Sequence, residues 1–289
     1  MNTAWVPCGY ILIAGPANAG KSSLFNAMTK HGFSSVDTRP FTTRHPLTGL
    51  REISGARACF IDTPALEKGI EGDLLSLCDA VVLVLNARSV EGDLLLPCVK
   101  ELIQNTEDKP LLIALGHGDH IPETLRAPLA LQTSIRVSAL GVFTVSPPLK
   151  EGVDPLLASV VKLLPVREQL FPKGVASLNS GRFLASEQIR TVVYRILSED
   201  ISETTAVQVE EYTHRNGKLY IRVNLHVSKL SDKGTVIGRK GQTLSRIQQE
   251  STSVLERSTG IPVQLEAWVK AREGWPDNPR DLMEFGYAL

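Results

Sequence analysis

Gly15-Pro16-Ala17-Asn18-Ala19-Gly20-Lys21-Ser22 is the stretch on which the reading of this chain turns. It carries the pattern GxxxxGK[ST]. An apolar run, Tyr10 to Ala14, precedes it, and a helix-compatible run, Ser23 to Thr29, follows it. Strand, glycine-rich loop and helix in that order are what a phosphate cradle requires. Glycines let successive backbone N–H groups converge on one point, and the following helix turns its positive dipole end to the same place. In such a loop Lys21 neutralises β- and γ-phosphates, and the Ser22 hydroxyl ligates Mg²⁺.

Outward from the loop, apolar runs alternate with amphipathic stretches up to residue 165. Strands are expected at Tyr10–Ala14, Ala58–Ile61, Ala80–Leu85, Leu111–Leu115 and Arg136–Ser138. The runs Ala80–Leu85 and Leu111–Leu115 are continuously apolar, the mark of parallel strands buried on both faces. Helical stretches between them complete βαβ units, so residues 1–166 are expected to form an α/β P-loop domain with a doubly wound, mostly parallel sheet. Residues 165–182 contain two prolines and two glycines without sustained periodicity, and 167–182 reads as a linker.

A smaller α+β domain is expected over residues 183–289. A helix from Arg182 to Leu197 opens it. Two alternating runs, Ala206–Glu210 and Lys218–Val227, flank Asn216-Gly217, a strong hairpin signal. Then come the turn Gly238-Arg239-Lys240-Gly241, a helix from Gln242 to Ser258, a strand from Pro262 to Lys270, and a short helix between Pro276 and Phe285. The order is α-β-β-α-α-β. Trp268 and Trp275 read as packing residues.

At 289 residues, two domains are the natural division, and 43% hydrophobic with 21% charged residues describes an ordinary globular chain. The net charge is zero, yet Tyr212 to Arg246 carries eight basic residues against Asp232 alone. A confined basic stretch in a neutral protein points to a local polyanion contact. Cys8, Cys59, Cys78 and Cys98 form no CxxC pair, so reduced core thiols are expected rather than a metal site. No apolar run is long enough to span a bilayer, and the N-terminus has neither a signal nor a transit pattern. The expected location is a prokaryotic cytoplasm, or an organelle matrix for a processed form.

A phosphate loop needs a metal partner and a sensor. Asp62-Thr63-Pro64 follows the strand ending at Ile61, where an aspartate holds Mg²⁺ through water. Thr42-Thr43-Arg44-His45 lies between the two motifs and reads equally as a polar surface loop or as a switch whose threonine hydroxyl completes the metal shell once triphosphate is bound. The turn Gly238-Arg239-Lys240-Gly241 is the second chemical centre. Its glycines let backbone approach backbone and its basic pair meets phosphates, as in a clamp on about four single-stranded nucleotides. Lys233 before it and Arg246 after it are candidate phosphate contacts.

With these residues in place, the chain resembles the Era family of GTPases. GPANAGKSSLFNA, TTRH, IDTP, the run Phe183 to Arg190, Val236 to Gly241, Glu266 to Lys270 and the closing Gly286-Tyr287 carry the likeness, which covers nearly the whole chain. The resemblance implies a Ras-like GTPase domain followed by a type II KH domain. It implies that Gly15, Pro16, Ala17, Asn18, Ala19, Gly20, Lys21, Ser22 and Ser23 hold the phosphates of GTP or GDP. Asn18 would help hold K⁺, and Ser22, Thr43 and Asp62 would hold Mg²⁺. Asp119 would read guanine, with Ser138-Ala139-Leu140 against the base. Lys21, Thr43 and Asn18 would serve hydrolysis. RNA would meet Lys233, Gly238, Arg239, Lys240, Gly241 and Arg246. The implied partner is the 3′ end of small-subunit ribosomal RNA in a preribosomal particle, not DNA. A monomer with at most peripheral membrane contact is expected.

The chain departs from the family at three places. The base-reading motif NKxD is Gly116-His117-Gly118-Asp119, which keeps the aspartate and loses the asparagine and lysine. Weakened guanine affinity is expected, by about ten- to a hundredfold, or about 1.4–2.7 kcal/mol. Ala65 stands where glycine is usual, which narrows backbone freedom at the switch. Ala17 replaces a loop proline. Leu66 is no departure: it stands where Ras-type proteins place a water-orienting glutamine, as a hydrophobic residue does in this family, so hydrolysis is expected to be slow. The alternative is a pseudo-GTPase whose nucleotide site is structural.

Overall fold

The computed structural model describes residues 5–30, 45–69, 72–106, 108–171 and 174–285. The chain divides into two compact units, Met1–Leu178 and Asn179–Leu289. The first contains β1 (Trp5–Ala14), α1 (Lys21–Thr29), β2 (Leu47–Ile53), β3 (Ala56–Asp62), α2 (Gly72–Leu77), β4 (Ala80–Asn86), α3 (Val90–Leu95), α4 (Pro97–Asn105), β5 (Leu111–Gly116), α5 (Glu123–Arg136), β6 (Gly141–Thr144), α6 (Val153–Leu163) and β7 (Val166–Glu168).

The sheet runs β2-β3-β1-β4-β5-β6, with β7 added antiparallel to β1. Strands β3, β1, β4, β5 and β6 are mutually parallel, and β2 is antiparallel to β3. Residues 80–85 and 111–115 are buried without interruption, as their continuous apolar character requires. The register pairs Ile13 with Asp62, Ala14 with Leu83 and Asn86 with Gly116. The loops that follow β1, β3 and β5 therefore leave one edge of the sheet, where open α/β sheets place their ligands.

Two expectations need correction. Arg136–Ser138 is not a strand: α5 runs to Arg136, and the strand is β6, where Leu112↔Gly141 through Leu115↔Thr144 pair in parallel. Gly141-Val142-Phe143-Thr144, which the sequence reading passed over, has the stronger β character and is the run that pairs with β5. The stretch 167–182 is not a free connection. Arg167 pairs with Asp79, and Phe171 is buried with its ring edge-on to Tyr10, centroids 5.1 Å apart. Leu50 N–H donates to Ala176 O (2.8 Å) and Leu178 N–H to Thr48 Oγ1 (2.9 Å). Chain up to Leu178 is thus built onto the first unit.

The second unit contains α7 (Gly181–Ile196), α8 (Glu199–Glu203), β8 (Thr205–Arg215), β9 (Lys218–Val227), α9 (Leu230–Ile237), α10 (Gln242–Thr259), β10 (Val263–Ala271) and α11 (Pro279–Glu284). The sheet order is β10-β9-β8, with β10 parallel to β9. Asn216 (φ 49°) and Gly217 (φ 72°) make the β8–β9 turn with both residues left-handed, the geometry that fits strand twist. Ile189, Val192 and Val193 of α7 and Ile247 and Leu255 of α10 share one core with Ile221, Val223 and Leu225 of β9. Trp275 is buried, with its indole N–H on Thr204 O at 2.9 Å. Trp268, by contrast, is 56% exposed and is no core residue.

His226 of β9 gives this unit an acid sensitivity. Its side chain is buried beside the Phe285 ring (centroids 4.5 Å apart), and Nε2 lies 2.9 Å from Gln208 Oε1. Burial first, then the charges of Lys270 and Arg272, push its pKa down to about 4. An unfolded chain binds this proton near pH 6.5, and the folded one does so only near pH 4. Between those values the unfolded state holds more protons, so stability falls as the pH falls, by on the order of 2–3 kcal/mol. The urea midpoint of the second unit should drop across that interval, and less so in His226→Gln. Equal slopes for the two proteins would rule His226 out as the cause.

Candidate nucleotide site and basic glycine turn

The phosphate loop leaves β1 at Ala14 and enters α1 at Lys21. A Cβ on Gly15 would lie 2.2 Å from Val84 O, so only glycine fits there. Asn18 (φ 58°) and Gly20 (φ 96°) are left-handed, a backbone form that builds amide concavities for anions. The Ala17 N–H already donates to the Glu67 carboxylate, at 3.1 and 3.2 Å from its two oxygens. Lys21 is buried at 7% exposure, with Nζ donating to Pro16 O at 2.8 Å. Burial pushes its pKa down, against the opposing pull of Asp62 and Glu67. Such an ammonium gains much from a polyanion.

Asp62 ends β3 fully buried, and its Oδ2 accepts the Ser22 hydroxyl at 2.9 Å. That hydroxyl–carboxylate pair suits a hard divalent ion that draws its other oxygens from phosphate and water. No cluster of three or more His, Cys, Asp or Glu ligands occurs among the described residues. Ser23 lies in the first turn of α1. Thr42 and Thr43 lie outside the described residues. Ala65 takes φ −61°, ψ 139°, a conformation open to any residue. Leu66 donates its N–H to Gly15 O (3.1 Å) and buries its side chain in the core. No hydrogen-bonding side chain stands at position 66 to orient water.

The base-side loop follows β5. A Cβ on Gly116 would lie 2.2 Å from Ala19 O. His117 (φ 59°) sets Nε2 3.0 Å from Asn18 O. Asp119 accepts the Ser146 hydroxyl on Oδ1 at 2.8 Å, and His120 Nε2 lies 3.3 Å from Oδ2. The Ser146 hydrogen bond above all holds the Asp119 carboxyl below the usual carboxylate range.

Ser138, Ala139 and Leu140 are misplaced for this role. Leu140 N–H donates to Leu111 O, at the start of β5, whereas Asp119 follows its end. Five residues of strand separate those levels, about 16 Å. The residue that meets Asp119 is Ser146, just after β6, where Gly118 N–H also reaches Val145 O at 3.0 Å. The signal was the β-prone run 141–144 followed by Ser146-Pro147. The literal Ser-Ala pair at 138–139 competes with it in the sequence.

In the second unit, α9 gives way to the basic turn at Gly238 (φ 76°, ψ 172°), and a Cβ there would lie 2.2 Å from Thr243 Oγ1. Lys240 (φ 52°) and Gly241 (φ 77°) are left-handed, and Gly241 caps the N-terminus of α10. Arg239 and Lys240 are exposed, Lys233 half-buried. A helix start flanked by two exposed cations suits a phosphate backbone. Arg246 is exposed but paired, with Nε 2.8 Å from Glu250 Oε1, and Glu250 also meets Arg195. As a phosphate contact it must exchange that partner, a surface pair worth about 0.3–0.5 kcal/mol.

Two family descriptions match the chain: "50S ribosome-binding GTPase" over residues 10–117 and "KH domain" over residues 200–276. A protein named GTPase Era from Xanthomonas oryzae pv. oryzae is 31% identical over 293 residues, covering 96% of each chain. Among solved structures, Era in complex with MgGDPNP and nucleotides 1506–1542 of 16S ribosomal RNA superposes with a TM-score of 0.87 at 28% identity. It covers 98% of this chain and all of that one. An Aquifex aeolicus Era variant bound to GDP and AlF4- superposes with a TM-score of 0.86 at 26% identity, with the same coverage.

Proposed function

This chain belongs to the Era family of GTPases, a P-loop GTPase domain followed by a KH domain, and from that premise we propose that it is a slow GTP switch controlling single-stranded RNA at the 3′ end of small-subunit ribosomal RNA. The observation that carries the proposal is the single sheet edge holding both halves of a guanine-nucleotide site. Lys21, Ser22 and Asp62 lie at one part of it, and Asp119, held by Ser146, at another.

The residues present fit magnesium-bound GTP. The loop from Gly15 to Ser23 would hold phosphates, and Ser22, Thr43 and, through water, Asp62 would hold Mg²⁺. Magnesium supplies neutralisation of developing phosphate charge. Lys21 adds a buried positive charge at the same place. Asn18 would help hold K⁺. With Leu66 buried, no residue there orients the attacking water, so turnover rests on electrostatics and stays slow. The KH domain would take RNA along Lys233, Gly238, Arg239, Lys240, Gly241 and Arg246. In this reading the chain works as a cytoplasmic monomer on a preribosomal particle.

The test is RNA affinity against nucleotide state. An oligonucleotide of the rRNA 3′ end should bind about tenfold more tightly with a non-hydrolysable GTP analogue than with GDP, about 1.4 kcal/mol. Phosphate release should exceed that of Lys21→Ala and rise when KCl replaces NaCl. Equal RNA binding in both nucleotide states would reject the switch, and turnover no faster than that of Lys21→Ala would reject hydrolysis.

A further inference from the structure

The base-side loop has lost two of the three side chains of its family's pattern, yet it is joined to the phosphate loop at two points. Gly116 approaches so closely that a Cβ would lie 2.2 Å from Ala19 O and 3.6 Å from Leu85 O. Next to it, His117 Nε2 lies 3.0 Å from Asn18 O. A carbonyl only accepts, so that nitrogen carries the proton and the imidazole is the donor. The His117 ring is also nearly parallel to that of His120, at 15° with centroids 5.7 Å apart, within the range of offset stacking. Two contacts therefore fix its plane and its position. The carboxylate two residues further on is fixed in turn by Ser146.

We propose that His117 is a base-binding residue of the nucleobase pocket. Its Nε2–H ties the base-side loop to the phosphate loop, and its ring is the aromatic wall against which guanine stacks. This inference rests on the guanine-nucleotide reading above. A flat imidazole does by stacking what a lysine stem does by covering the base, and its N–H supplies the hydrogen bond to the loop. The glycine before it belongs to the same solution. With backbone packed on Ala19 O, no side chain fits at position 116, and the loop is braced by backbone contact. Gly116 and His117 are thus paired replacements, and the site is altered rather than decayed.

The pairing makes an unusual demand: restoring the family residue at position 116 harms the site. The experiment is equilibrium binding of a fluorescent GDP by the full chain with Mg²⁺, with ADP as competitor. His117→Ala should weaken GDP at least tenfold, the lower end of what one stacked base and one neutral hydrogen bond contribute. His117→Lys, which keeps a donor toward Asn18 O, should stay within about threefold of the parent. Gly116→Asn should weaken GDP about tenfold or more, because backbone must move.

NMR of the unsubstituted chain provides a second readout that does not depend on any variant folding. The His117 ring protons should shift upfield when GDP is added and stay in place when pyrophosphate is added. Unchanged GDP affinity in His117→Ala, or ring protons that ignore GDP, overturns the proposal. Unchanged affinity in Gly116→Asn overturns its steric half. A parent chain that fails to prefer GDP over ADP overturns instead the guanine reading on which the proposal stands.

Discussion

Gly238→Asp combined with Gly241→Asp should lower affinity for single-stranded RNA at least a hundredfold while GDP affinity stays within about twofold. Both glycines hold left-handed backbone, and a Cβ on Gly238 would strike Thr243 Oγ1 at 2.2 Å and its backbone nitrogen at 2.8 Å. The change also places two carboxylates beside Arg239 and Lys240, at the start of α10 where phosphate would lie. Each lost phosphate contact removes about 0.7 from the salt slope of single-strand binding. Arg239→Ala with Lys240→Ala, which leaves the glycines in place, should therefore flatten that slope by about 1.4 without altering thermal unfolding. RNA binding of undiminished strength in both double variants, read by filter retention, would discard the turn as an RNA contact.

The second large effect belongs to Asp119. Its carboxylate is anionic at neutral pH as an ordinary aspartate is, and the Ser146 hydroxyl at 2.8 Å holds its pKa lower still. Two acceptor oxygens match the N1–H and the exocyclic amine of guanine. Hydrogen bonds to a charged group contribute roughly 1.5–3 kcal/mol each. Asp119→Asn turns one acceptor into a donor, which conflicts with guanine and suits the carbonyl of xanthine. GDP affinity should fall about a hundredfold or more, and the order of GDP and XDP should reverse. A competition series in which Asp119→Asn keeps GDP ahead of XDP would remove base reading from this residue. Ser146→Ala should act in the same direction but less, because the carboxylate stays while its anchor is lost.

Much of this was legible in the residues. Gly15 to Ser22 needs nothing but its own backbone and the flanking strand and helix to be a cradle. Ala80–Leu85 and Leu111–Leu115 are apolar throughout and had to be buried on both faces. Asn216-Gly217 tolerates positive φ at both positions and so encodes a hairpin. Other readings failed where two local patterns competed. Arg136–Ser138 was read as the strand, and the run that pairs with β5 is Gly141–Thr144, three residues further on, which the reading passed over. That error carried the Ser-Ala assignment to the wrong edge of the sheet.

Local backbone preference and hydrophobic period are properties of consecutive residues, so the sequence by itself determined the phosphate loop, the buried strands, the hairpin and the basic glycine turn. Only the tertiary structure decided that Ser146 serves Asp119 across 27 positions, that His117 reaches Asn18 across 99, and that Leu178 docks on Thr48 across 130. Such contacts depend on which strand ends share an edge and how closely two loops approach. Strand pairing and packing set those distances, and no stretch of neighbouring residues encodes them.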